Sequence, residues 1–182
     1  LKKQLLLLSL LTALLYGYAY NDKLLRVYAK IIPRIALMTH SDESFPGNSI
    51  GICLLYEKGD EEGARRLHDM MLAAYPDGLR YRTLELSLQP YDRHRSCRDS
   101  ALLFLFDTDR AGMQPSLDFA RSHGIPTMSY SSRFLDSGVM FSMHLGKTVR
   151  PYLNLEAAKE SGITPDSLLI RISKIYDAGG GR

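Results

Sequence analysis

YSSRFLDSGVMFSMHLGKTVRPYLNLEAAKESGITPDSLLIRISKI, Tyr130 to Ile175, is the stretch whose reading decides the fold. It reads as a strand end, a short helical turn, a tight hairpin and two small helices. Val139 to Leu145 and Thr148 to Leu155 flank Gly146-Lys147, a two-residue turn suited to a β-hairpin. Asn154 is placed to cap a brief helix that Gly162 ends. Thr164-Pro165-Asp166 then opens a second helix, with the proline at its first position. Gly146-Lys147-Thr148 is not the end of a phosphate-binding loop. That motif needs a glycine five positions earlier, where Phe141 stands, and a helix rather than a strand to follow.

Upstream of this stretch the pattern alternates strand and helix. Asn21 or Asp22 caps a helix whose apolar positions Leu24, Leu25, Tyr28, Ile31, Ile32 and Ile35 recur at helical spacing. Pro33, inside it, is expected to kink or end the regular turn. His40 to Asn48, with Pro46-Gly47, reads as a loop. Ser49 to Tyr56 (SIGICLLY) has the length and apolarity of a buried strand. Gly59-Asp60 opens a helix with Leu67, Met70, Met71 and Ala74 inward, stopped by Pro76-Asp77-Gly78. Tyr81 to Leu88 alternates as a half-exposed strand does, and Gln89 to Asp99 reads as a polar, basic loop. Ala101 to Phe106 is uniformly apolar, which predicts a central strand covered on both faces. A helix over Met113 to Ser122 and a strand over Thr127 to Tyr130 complete the series. Strands alternating with helices imply an α/β fold: one domain, a mixed but mostly parallel sheet flanked by helices, and a C-terminal antiparallel hairpin.

The N-terminus carries an address. Lys2 and Lys3 precede an apolar run from Leu5 to Leu15, and Gly17 and Ala19 supply small residues before a cleavage point. This is the layout of a secretory signal peptide over residues 1–19. The run is too short for a transmembrane helix, which needs about 20 apolar residues. An uncleaved anchor or buried helix is the alternative. The expected organisation is a leader over 1–19, one domain over 20–177 and a flexible tail over 178–182. Lys2 and Lys3 contribute to a formal net charge of only +3, so nothing argues for nucleic acid as a partner. An apolar content of 45% suits a packed core and excludes a disordered chain.

Two cysteines in an exported chain invite pairing. Cys53 and Cys97 each lie on or beside an expected strand, and neighbouring strands would bring them within disulfide reach. Two buried thiols that never meet is the other reading. No Cys/His spacing suggests a metal, and no cofactor is expected. His40, His68, His94, His123 and His144 form no ligand pair and face no nucleophile elbow, so they read as solvent-facing or capping side chains. No catalytic set emerges. What remains is recognition chemistry. Arg93, Arg95 and Arg98 suit an acidic partner surface or a carboxylate ligand. Asp107 and Asp109 follow the central strand, at the end where open α/β sheets hold ligands. Tyr152 is an aromatic with a polar tip, a type enriched at interfaces.

Several steps of the chain resemble the YfiR-type periplasmic proteins. Tyr28-Ala29-Lys30 looks like that family's opening aromatic-Ala-Lys step, and Ile52-Cys53 and Cys97 match its strand cysteines. Ser132, Phe134, Gly138, Met140, Phe141, Asn154-Leu155, Ala157-Ala158, Ser161-Gly162-Ile163 and Leu168-Leu169 follow in the family's closing order. The resemblance implies a non-enzymatic periplasmic regulator that engages the periplasmic domain of a membrane diguanylate cyclase, with a capacity to form homodimers. It also implies a Cys53–Cys97 disulfide. The chain departs from the pattern in having no tryptophan, in Pro151 where an aromatic is usual, and in Tyr152 where an acidic residue is usual. A second, C-terminal disulfide has no cysteines here. These losses motivate an alternative, a structural subunit of an envelope machine such as a flagellar motor or a secretion complex.

Overall fold

The structure, a computed structural model, describes residues 20–40 and 48–177. The leader over 1–19, the tail over 178–182 and most of the loop at His40 to Asn48 lie outside the described residues.

Asn21 caps α1 (Asp22–Met38) by accepting the backbone N–H groups of Lys23 and Leu24 at 2.9 and 3.3 Å. Of the two outcomes expected at Pro33, a kink or an end, the helix does not end: it continues through Pro33 to Met38. Proline removes one intrahelical bond, but Leu25, Tyr28, Ala29, Ile32, Ile35 and Ala36 bury one continuous face on both sides of it. The long apolar face outweighs the single lost donor.

The chain continues with β1 (Ser49–Tyr56), α2 (Glu61–Ala74), β2 (Thr83–Pro90), a 3₁₀ segment (Tyr91–Cys97), β3 (Leu102–Leu105), α3 (Arg110–Ser122) and β4 (Thr127–Ser129). A second 3₁₀ segment (Ser132–Ser137), β5 (Phe141–Leu145), β6 (Val149–Leu153), α4 (Leu155–Glu160), α5 (Ser167–Ile172) and β7 (Lys174–Ile175) complete it. The strands form one sheet in the order β2-β1-β3-β4-β5-β6-β7, with every pair parallel except the β5–β6 hairpin. The expected α/β class holds, as do the buried central strand and the terminal hairpin.

Alternation along β1 and β3 divides the core into two layers. Ile50, Ile52, Leu54, Leu102, Phe104 and Phe106 face α1 and α2. Cys53, Leu55, Leu103 and Leu105 face the other way, onto Met113, Leu117 and Ala120 of α3 and onto Tyr91 and Cys97. All four residues of β3 are buried, as a strand covered on both faces requires.

Local departures have local causes. The second strand begins at Thr83 rather than Tyr81. Arg80 and Tyr81 take positive φ angles of 49° and 67° in a turn closed by paired backbone bonds between Leu79 and Arg82. The stretch after β2 is helical rather than a loop, because its two ends are pinned. The buried Tyr91 hydroxyl donates to the Phe106 carbonyl at 2.5 Å, and Cys97 is joined to Cys53 with the Cα atoms 5.8 Å apart. In the hairpin, Leu145 pairs with Val149, so the turn holds three residues, Gly146 to Thr148. Asp166, not Thr164, caps α5, accepting from the Leu168 N–H at 2.6 Å, which places Pro165 before the helix.

Candidate functional site

Strand order reverses at β1, with β2 on one side and β3 on the other, so the carboxyl ends of β1 and β3 form the switch point of the sheet. In open α/β sheets that crevice is where ligands settle. Here Tyr20 fills it. The ring lies edge-on to Phe106 and Tyr130, at centroid distances of 4.9 and 4.8 Å. Its hydroxyl donates to Asp60 Oδ2 at 2.9 Å and accepts the Asp107 N–H at 3.2 Å. Burial, reinforced by the Asp60 carboxylate, pushes the Tyr20 phenol far above its ordinary range. Gly63 makes room for the ring: a Cβ at that position would lie 2.6 Å from Tyr20 Cδ2.

A polar network extends from this plug along the carboxyl edge. Thr108 Oγ1 donates to Glu57, and Arg133 donates to the Thr108 carbonyl at 3.3 Å. Arg133 also stands 3.8 Å from Asp107 Oδ2. The neighbouring Tyr28 hydroxyl divides its bond between the Ser129 and Tyr130 carbonyls at 3.1 and 2.6 Å, tying α1 to the end of β4.

Asp107 is the odd member. Its Oδ1 is buried without a hydrogen-bond partner, and burial raises its pKa despite the opposing Arg133 charge. A carboxylate whose folded pKa is raised favours the fold while protonated, and that contribution is lost as pH climbs above the carboxylate range of about 4. Asp107→Asn removes the ionisation. The variant should melt at a higher temperature than the wild type at pH 7, with the gap closing as pH falls toward 4. Equal melting temperatures across that range would contradict this account of Asp107.

Four of the six sequence-derived candidates fall in two clefts, and Asp109 and Arg93 line neither. Asp107 and Tyr152 line one cleft of about 370 Å³ with Tyr130, Ser131 and His144. Tyr152 stands half-buried on β6, its ring 4.9 Å from that of His144, with Lys174 Nζ 5.2 Å above it. Asp109 is the N-cap of α3, accepting the Gly112 N–H at 2.6 Å. Arg95 and Arg98 lie against the other face of the sheet, in an open cleft of about 630 Å³ between the first 3₁₀ segment and α3. Arg93 is exposed and does not line that cleft. Among the described residues no group of three or more His, Cys, Asp and Glu side chains is placed to hold a metal ion. No helix among them is long and apolar enough to cross a membrane.

Tyr20, Asp60, Glu57 and Arg133 were not legible as site residues. Their contacts join positions 40, 87, 51 and 26 apart in the chain, and nothing local marks them. One signal existed for the place: it lies at the ends of the two most apolar strands.

A family model described as YfiR/HmsC-like matches residues 29–174. A comparison with curated proteins finds no match. Among solved structures, a conserved domain protein from Vibrio cholerae is 11% identical with a TM-score of 0.57, covering 84% of this chain and 60% of its own. A substrate-binding protein with adhesive properties from Clostridium difficile is 10% identical with a TM-score of 0.55, covering 74% and 57%. An ABC domain from Streptococcus pneumonia, solved in complex with L-Trp, is 14% identical with a TM-score of 0.51, covering 73% and 57%. This chain therefore spans less than two thirds of each of these structures. The likeness shows a shared fold.

Proposed function

The chain belongs to the YfiR/HmsC-like family, and from that membership we propose that it is a periplasmic, non-catalytic regulator that works by binding protein. Its partner in this reading is the periplasmic domain of a membrane diguanylate cyclase, which it restrains. The family match is the observation that carries the proposal. The filled switch point supports it: with Tyr20 seated where a ligand would settle, recognition is left to the surrounding surface. The secretory layout of residues 1–19 supports the compartment. The partner-facing side chains we assign are Arg93, Arg95 and Arg98 on the basic turn, with Asp107, Asp109 and Tyr152 at the carboxyl edge.

The competing role is a fixed subunit of an envelope machine such as a flagellar motor or a secretion complex. Sedimentation of a gently solubilised envelope separates the two. A regulator should travel free or substoichiometrically with a membrane partner. Constant stoichiometry with one large complex would overturn the regulatory proposal in favour of the structural role.

A further inference from the structure

We propose that the open cleft between the first 3₁₀ segment and α3 binds a small organic oxyanion, a di- or tricarboxylate or a phosphate ester. The charged end would meet Arg95 and Arg98, and the hydrocarbon body would lie on Phe119 and Pro115.

Charge comes first. Arg95 and Arg98 line the cleft and make no ion pair with any described residue, whereas Arg65, Arg66, Arg121 and Arg133 each stand beside a carboxylate. The carboxylate in the lining, Asp118, is already engaged by Gln114 Nε2 at 2.9 Å and by Arg121 at 3.7 Å. The cleft therefore offers two guanidinium forks that no described carboxylate pairs with, the group best matched to planar or tetrahedral oxyanions.

Two imidazoles frame the aromatic floor of the cleft. His94 and His123 flank the Phe119 ring at centroid distances of 5.3 and 4.3 Å. His94 Nδ1 lies 2.8 Å from the Tyr91 carbonyl, and His123 Nδ1 lies 2.9 Å from the Phe119 carbonyl. A carbonyl only accepts, so Nδ1–H donates in both, and His123 Nδ1 also lies 3.0 Å from Ser122 Oγ; Nε2 of each neutral ring is left as an acceptor, so the charge of the anion falls to the arginines.

The site is also held in place. The Cys53–Cys97 bond anchors the arginine-bearing segment to β1 between Arg95 and Arg98, and the buried Tyr91 fixes its other end. Fixing the backbone in advance lowers the ordering cost of binding. A volume of about 630 Å³ falls in the range of small-molecule sites.

Binding of an oxyanion by the isolated protein decides the matter without any partner, so it stands apart from the regulatory reading. Isothermal titration with citrate and with inorganic phosphate should be run at low ionic strength on the oxidised protein. Citrate should bind, and Arg95→Ala/Arg98→Ala should weaken it at least tenfold while leaving the melting temperature unchanged. Arg93→Ala, next to the cleft but outside its lining, should bind as the wild type does. Phosphate binding without citrate binding would retain the site for a phosphate ester. The proposal is overturned if neither anion binds, or if Arg93→Ala weakens citrate as much as the double variant does.

Discussion

Replacing both cysteines, Cys53→Ala with Cys97→Ala, should lower the stability of the protein by about 2–4 kcal/mol. The two residues are 44 positions apart in sequence, so the bond removes a large loop-closure entropy from the unfolded chain. Both side chains are buried, on the face that packs against α3, so the loss of sulfur also leaves a small packing defect. Denaturant unfolding measures the effect: the midpoint of the wild type should fall when reductant is added, and the double variant should be indifferent to it. Equal midpoints for the oxidised and reduced wild type would contradict the stabilising role. The same variant should bind citrate less tightly, because the segment carrying Arg95 and Arg98 loses its anchor.

Phe104→Ala should cost about 3–5 kcal/mol, the range for emptying an aromatic site in a core. Phe104 is fully buried in β3, between Leu54 of β1 and Met128 of β4 in register. Its ring meets Tyr28 of α1 at 5.1 Å and Phe106 at 5.2 Å, both edge-on. Truncation therefore removes an aromatic contact between α1 and the middle of the sheet and leaves a cavity in the layer between them. A domain of this kind has only about 5–15 kcal/mol in total, so the variant should unfold at markedly lower denaturant. Phe104→Leu, which keeps most of the volume, should cost much less. A loss below about 1 kcal/mol for the alanine variant would show that the packing of α1 on the sheet does not depend on this ring.

The elements that were legible in the sequence are those whose partners are near in the chain or whose burial is complete. SIGICLLY and Ala101 to Phe106 read as buried strands because their middles are unbroken apolar runs, Ile52 to Leu55 and Leu102 to Leu105, and every one of those positions is buried. Asn154 was readable as a cap because it accepts from the Ala157 N–H three residues away. What failed depended on distant or conformational facts. Strand β7 has only two residues and exists because β6 offers an edge to pair with, which Lys174-Ile175 do not announce. The turn at Arg80 and Tyr81 uses positive φ at two residues that do not favour it. Pro33 reads as a kink or an end, and the burial that carries the helix through it belongs to the tertiary fold. Asp107 is legible at the carboxyl edge from its position after the central strand. Tyr20, which fills the crevice beside it, is not, because a residue 87 positions away carries no local signal.

The regulatory claim is tested most directly by the cellular cyclic di-GMP level in a strain lacking this gene, with and without restoration of the wild-type chain. Deletion should raise cyclic di-GMP, and restoration should lower it again. An unchanged level in the deletion strain would contradict the regulatory role.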